Sequence, residues 1–408
     1  MASRASGRGL AAGLVAKVTD NIRPVLAVLR RVRPILVVGN NAMVTRADDV
    51  RAVLRDHEHF TVSHYAPKMT AASGPFILGL DDTPLYRRDH AALRAAIRSE
   101  DVPALADATL SAARARIAAA GGRIDVVSQL ADPVIDQVMS TYFGTPGPDT
   151  PTQLRWARTI FQDVFLNIGN AAAVHGRALA EATEMREHLD RLIAERRVAI
   201  QAGEDVPDDV LSRLLRHAPE DGGLHDIAIR HNFIGLVAGW IPTVSKAFAM
   251  VVEELLRRPA ELAAAERAAR AGDHDLVAAY VFEALRFRPQ TWALLRICGA
   301  EETIAPGTRR ATTIRPGARV LVATQSAMFD PRAVETPARF RVDRPWSTYL
   351  HFGDGLHTCF GLQINRVHLP ALATALLEGP PIARLPGPDG ELRTDGPYPS
   401  SLGVSLAG

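Results

Sequence analysis

The longest apolar stretch of the chain runs from His225 to about Arg257, and it has no continuous polar face. A helix that is hydrophobic nearly all round belongs inside a protein. His231, Asn232 and Lys246 within it argue against a membrane span. The pattern on either side is also mostly helical. Residues from about Leu10 to Arg33 read as a helix interrupted at Pro24, and 1–33 form an N-terminal helical segment. Thr83 to Ile97 is a helix with Pro84 in its first turn. Val102 to Gln201 holds four or more helices, broken at Gly121-Gly122, from Gly144 to Pro151 and around Gly169. Pro207-Asp208-Asp209 starts a short one.

Strand patterns are few. Ile35 to Val38 and Ala42 to Thr45 flank the turn Gly39-Asn40-Asn41, as a hairpin would. Arg309 to Ile314 and Arg319 to Ala323 flank Arg315-Pro316-Gly317. Asp48 caps a helix that reaches about Arg55. His57 to Asp82 has little periodicity and reads as a long loop, which in a compact protein is functional or disordered. No linker divides the chain, so 1–408 is expected as a single, mainly α domain with a minor β region.

Composition narrows the function classes. The 408 residues carry a formal net charge of +2, which gives no support for nucleic-acid binding. Cys298 and Cys359 are too few for a disulfide framework, so a reducing, cytoplasmic setting is the simpler expectation. Met1 to Lys17 is rich in Arg, Ala and Gly, and reads as a frayed lead into a helix rather than a transit segment. Neither a signal peptide nor a membrane anchor is expected.

The densest chemistry lies in the loop 351–361, His351-Phe352-Gly353-Asp354-Gly355-Leu356-His357-Thr358-Cys359-Phe360-Gly361, which leads into an apolar helical run. Backbone N–H groups and the dipole at a helix N-terminus favour a thiolate, the form that binds metal. Gly353, Gly355 and Gly361 permit tight turns and close approach. Phe352 and Phe360 can shield the sulfur, and His357 can donate to an anionic group. A small buried cysteine beside an ordinary turn is the competing reading. The spacing Phe-Gly-x-Gly-x-His-x-Cys-x-Gly before a helix favours the ligand.

This loop resembles the haem-binding loop of the cytochrome P450 family, and the resemblance extends over nearly the whole chain. It implies the cytochrome P450 fold and one haem b, with Cys359 as axial ligand. Tyr86 and His90, four apart on one helix face, stand where the family commonly has a His and an Arg bonding a propionate. Arg296 stands where the family has another propionate partner. Glu283 and Arg286 match its Glu-x-x-Arg, implying a buried structural network. Phe76, Ile77, Trp240, Trp292, Ala293 and Leu294 stand at implied substrate-pocket positions.

The middle of the long helix reads Val237-Ala238-Gly239-Trp240-Ile241-Pro242-Thr243. Ala238 and Gly239 have no bulk, so a flat cofactor can lie against the backbone. Pro242 removes one helical hydrogen bond and crowds the carbonyl of Ala238, predicting a local kink. The segment is similar to the family's oxygen-binding groove, Ala-Gly-x-acid-Thr. Here Ile241 and Pro242 occupy the acid and threonine positions, and neither donates a proton. Three readings stay open. Thr243 reaches the groove by a shift of register; substrate or water supplies the proton; or the enzyme does not split oxygen in the usual way.

The resemblance implies a monooxygenase that hydroxylates or epoxidises a small lipophilic molecule or natural-product intermediate. It would be a monomer drawing electrons from a separate ferredoxin and ferredoxin reductase. The alternatives are an atypical enzyme using peroxide or catalysing coupling or rearrangement, and a non-catalytic haem protein that only binds ligand.

Overall fold

Short strands with alternating burial and helices that each bury one face build two compact units. The computed structural model describes residues 22–217 and 223–406. The described parts of Met1–Thr61, Thr291–Arg339 and Pro345–Leu356 form the smaller unit. Those of Val62–Gln290, Phe340–Arg344 and His357–Gly408 form the larger.

The smaller unit is built on a five-stranded sheet. Its strands lie in the order Ile35–Val38, Asn41–Val44, Arg319–Val322, Leu294–Cys298 and Phe60–Thr61. The first two form the expected hairpin, with Val38 opposite Asn41 and Gly39 at φ +58 in the turn. Asn41–Val44 then pairs parallel with Arg319–Val322. Ala42, Val44, Val320 and Val322 are buried at alternate positions, as the period of two requires.

The first helix of the described chain is Arg23–Val32. Pro24 opens it instead of interrupting it, because a proline in the first turn lacks only an N–H that has no helical acceptor. The earlier part of the expected segment lies outside the described residues. The helix Ala47–Arg55 has Arg46 at its cap position. Asp48 is therefore not the cap; it lies in the first turn beside Asp49, and both carboxylates bind Arg310, at 2.6 and 2.9 Å.

The larger unit is a stack of helices. Those of Val102–Gln201 are Val102–Ala119, Asp132–Thr141, Thr150–Phe161 and Ala172–Gln201. The stretch 57–82 is more regular than its sequence suggests. It contains a helix, Ala66–Ala72, opened by Pro67, and a turn of 3-10 helix at Ile77–Gly79. Seven residues are too few to display a hydrophobic period.

The central helix, Asp226–Leu256, is unbroken, and Pro242 is accommodated inside it. It is long and apolar enough to cross a membrane, yet 83% of its most apolar window is buried in the protein. That burial explains its lack of a polar face. The final long helix, Leu362–Leu377, packs along Val102–Ala119 and carries a second internal proline, Pro370.

Candidate active site

Cys359 lies three residues before the helix Leu362–Leu377, whose first N–H donates to the Cys359 carbonyl at 3.1 Å. The backbone N–H of Gly361 pulls the thiol pKa down. Gly361 is closely packed, since a Cβ would stand 3.1 Å from Asn365 Nδ2 and 3.5 Å from the Trp240 ring. The two helices thus close on the loop through a residue with no side chain.

The thiol itself behaves differently from the expectation of a lowered pKa. Burial pushes it up, against the opposing pull of the Gly361 N–H and the Arg94 guanidinium. Desolvation of the anion outweighs one N–H and a distant charge. Without a metal cation Cys359 therefore keeps its proton; coordination would deprotonate it outright.

An aromatic and cationic cluster forms around Phe360, the residue after Cys359. His357 meets the edge of Tyr86 at 5.9 Å between ring centroids, and Tyr86 stacks on His90 at 5.4 Å. His90 meets the edge of Phe360 at 5.3 Å. The Arg94 guanidinium lies 4.0 Å above the Phe360 ring. Tyr86, His90 and Arg94 all project from Pro84–Ala96, which is capped by the Thr83 hydroxyl accepting from the Tyr86 N–H. Burial and the neighbouring Arg94 lower the His90 pKa, so the imidazole is neutral. Burial raises the Tyr86 pKa.

Arg94 is the residue that sequence reasoning missed. The helix carries Arg87, Arg88 and Arg94. The structure sorts its arginines: Arg87 pairs with Asp82 and Arg88 with Asp89, each at 2.7 Å, while Arg94 turns inward to Phe360. Its four-residue spacing from His90, which follows Tyr86 by four, was the available signal.

The central helix presents one open stripe. From Asn232 to Leu255 only Leu236, Gly239, Thr243 and Lys246 are half-buried; every other residue there is buried. The spacing of three, four and three places the four on one face. Thr243 shares that face with Gly239, whereas Ala238 and Pro242 are buried. The Thr243 hydroxyl donates to the carbonyls of Gly239, at 2.5 Å, and Trp240, at 3.1 Å. Trp240 lies off the stripe, with its ring against Phe143, His368 and Gly361.

The segment before Pro84 docks on this helix. A Cβ on Gly235 would stand 2.3 Å from the Phe76 ring, so Phe76 rests directly on backbone. Phe76 and Ile77 are both 2% exposed and serve as packing. Leu78, which no pattern in the sequence singled out, is the side chain that reaches Gly239, 3.8 Å from where its Cβ would be.

Glu283 and Arg286 are fully buried and joined through two hydrogen bonds of 2.7 and 2.9 Å. Glu283 also accepts from the Arg341 backbone N–H at 2.9 Å and from Arg344 Nε at 3.2 Å. Arg344 completes the network from far along the chain, which local spacing could not show.

In the smaller unit, Arg296 is buried on the strand Leu294–Cys298, and Trp292, Ala293 and Leu294 lead into it half-buried. Phe352 stacks on Trp346 at 6.2 Å, and Gly353 takes φ +73. Asp354 accepts from Arg51, at 3.0 Å, and Arg55, at 3.1 Å, anchoring the first half of the loop to Ala47–Arg55. Gly355, at φ +75, passes so close that a Cβ would meet the Leu54 carbonyl at 2.5 Å.

The donor set fits a haem. It offers one soft thiol whose anion Gly361 and Arg94 favour, a half-buried helix face centred on Gly239 and Thr243, and a cluster of phenol and imidazole donors that includes His357, two residues before Cys359.

The profile of the cytochrome P450 family matches residues 36–379. The chain is 29% identical over 385 residues to nocardicin C N-oxygenase of Nocardia uniformis subsp. tsuyamanensis, covering 90% of each chain. It is 28% identical over 375 residues to mycinamicin IV hydroxylase/epoxidase of Micromonospora griseorubida, covering 89% of this chain and 87% of that one. Among solved structures it superposes on CalO2 with a TM-score of 0.82 and 24% identity, over 96% of this chain and 97% of that one.

Proposed function

Because this chain belongs to the cytochrome P450 family, we propose that Cys359 is the axial ligand of its haem b and that the residues around the sulfur hold and tune that group. The chain is a haem-thiolate monooxygenase that oxidises a small lipophilic or natural-product substrate with electrons from a redox partner. The haem supplies activation of oxygen, to which a thiolate ligand contributes electron density.

What the protein itself contributes follows from its residues. The Gly361 N–H moderates the charge on the sulfur. The Arg94 guanidinium lies over the Phe360 ring, and its charge favours the anionic sulfur. Tyr86, His90 and His357 provide donors for a propionate. Arg296 keeps the propionate role that the resemblance implies. Glu283 and Arg286, with Arg344, hold the chain segment 340–344 in place. Leu78 and Gly239 bound an apolar face for substrate, so substrate is held by shape and by exclusion of water. Such a surface discriminates weakly between close homologues.

The donor is a ferredoxin with its reductase, and the enzyme works as a cytoplasmic monomer. The relatives named nocardicin C N-oxygenase and mycinamicin IV hydroxylase/epoxidase support a natural-product intermediate as the substrate class. The observation that carries the reading is Cys359 at the start of the helix Leu362–Leu377, with Gly361 and Arg94 both favouring its anion and Arg94 lying over the Phe360 ring.

A second reading, use of peroxide, is favoured by Ile241 and Pro242, neither of which can relay a proton. One experiment separates the two. The holoenzyme is screened for a substrate-induced spin-state change, and the hit is incubated with reduced ferredoxin or with peroxide. Product from ferredoxin alone supports the monooxygenase. Product from peroxide alone supports the second reading. Binding without product under either condition would leave a ligand-binding haem protein.

A further inference from the structure

The open stripe of the central helix ends in a lysine. Lys246 is half-buried, three residues beyond Thr243 and seven beyond Gly239 on the same face. The helix around it is otherwise enclosed, from Val244 to Leu255. No charged neighbour compensates its burial, and it has no hydrogen-bond or ion-pair partner among the described residues. An unpaired ammonium in such a position is costly, so its presence calls for a reason.

Its direction follows from helix geometry. Cα–Cβ bonds tilt toward the helix N-terminus, and long side chains lie back over the preceding turn. For Lys246 that turn is the one bearing Thr243. The rise from Thr243 to Lys246 is about 4.5 Å, which a four-carbon side chain spans. The ammonium can therefore be carried toward the Gly239–Thr243 part of the groove. The polar hydrogen nearest to it on this face, that of Thr243, is committed to the Gly239 and Trp240 carbonyls.

We propose that Lys246 supplies the groove with the proton that Ile241 and Pro242 cannot, acting as the general acid of oxygen activation. This rests on the haem-thiolate reading above. The stoichiometry requires such a donor. Inserting one oxygen atom into a C–H bond and releasing the other as water consumes one O2, two electrons and two protons. The redox partner provides the electrons. One N–H bond of the ammonium breaks as an O–H bond forms on the departing oxygen, and water then returns a proton to the neutral amine. Burial lowers the Lys246 pKa, which makes its ammonium a better acid near neutrality. The Thr243 hydroxyl, with its proton turned to the backbone, remains able to accept from the ammonium and keep it in place.

The test uses holoenzyme bearing Lys246→Met, which keeps the length and removes the charge, and Lys246→Arg, which keeps the charge. Carbon monoxide is the probe. A cation near the bound ligand lowers its C–O stretching frequency in the infrared. The stretch is expected to rise in Lys246→Met and to stay low in Lys246→Arg. During turnover with reduced ferredoxin, the fraction of consumed oxygen released as hydrogen peroxide is expected to rise several-fold in Lys246→Met, with partial recovery in Lys246→Arg. A stretch unchanged in Lys246→Met, or a shifted stretch with unchanged peroxide release, overturns the proposal. If the wild-type adduct has thiolate-type absorption, that failure concerns the lysine alone. If it lacks that absorption, the haem-thiolate reading fails as well.

Discussion

The loop around Cys359 and the middle of the central helix face the same chemical task under different constraints. Around the sulfur, each neighbour has a definite partner: Gly361 lies against Trp240 and Asn365, and Phe360 lies between His90 and Arg94. The central helix keeps its architecture but changes its chemistry. Gly239 is retained on an open stripe, while Ile241 and Pro242 remove the acid and the alcohol that would move protons. The difference is what the proposed roles predict: a metal-binding sulfur has little latitude, because it needs a particular electrostatic setting. Proton supply needs only some donor within reach, and another position on the same face can provide it.

If the frame around the sulfur is as constrained as this, its support should be the costliest part to disturb. Glu283→Ala leaves Arg286 buried with its two side-chain bonds gone and strips Arg344 of the same carboxylate. Removing one partner of a buried pair costs about 3–5 kcal/mol. Denaturant unfolding should show a loss of that size together with release of haem; a loss under about 1 kcal/mol, the range of exposed pairs, would contradict the buried network.

A second substitution probes whether the central helix is equally intolerant away from the stripe. Gly235→Ala puts a methyl 2.3 Å from the Phe76 ring, so the segment before Pro84 must lift. Overpacking of this kind costs about 1–3 kcal/mol. Weaker substrate binding with a lowered Tm is expected, and an unchanged Tm would mean that Phe76 is not seated there.

The pH dependence of stability should come from the helix behind the loop. His368 is fully buried beside Trp240, with its Nδ1 2.8 Å from the Thr109 hydroxyl, and burial holds its pKa down to about 3. Below the ordinary histidine pKa of about 6.5, the unfolded chain takes up a proton that the folded chain refuses. Stability is therefore full above that value and falls as pH drops toward about 3. His368→Gln should flatten this slope in unfolding experiments across that window; an unaltered slope would assign it to other groups.

The smallest effect is expected at Thr243. Its hydroxyl bonds only to backbone of its own helix, an arrangement that contributes little to stability. Thr243→Ala should leave Tm nearly unchanged and alter only the ratio of product formed to oxygen consumed. A coupling ratio equal to wild type would remove Thr243 from proton handling and leave Lys246 to act without it.

Much of this was legible in the sequence where chemistry is compressed into a short span. The loop 351–361 announces itself by spacing, and Asp226–Leu256 by length and apolar character. The hairpin at Gly39-Asn40 follows from turn residues. What stayed hidden depends on tertiary placement. Arg344 meets Glu283 across a long separation in sequence, and Leu78 faces Gly239 from a segment without periodicity. The direction of the Cys359 pKa shift also escaped, because a helix N-terminus is visible in sequence and burial is not. Asp48 misled for a related reason: an acid one residue inside a helix looks the same on paper as one at its cap, and Arg310 decides its partner.

The central claim is that the Cys359 sulfur bonds the iron of a haem. The absorption of the reduced carbon monoxide adduct tests it most directly, measured on purified wild type and on Cys359→Ser. The account predicts the long-wavelength Soret band of thiolate coordination in wild type and its disappearance in the variant. A wild-type adduct absorbing like an imidazole-ligated haem, or a variant that keeps the thiolate band, would contradict it.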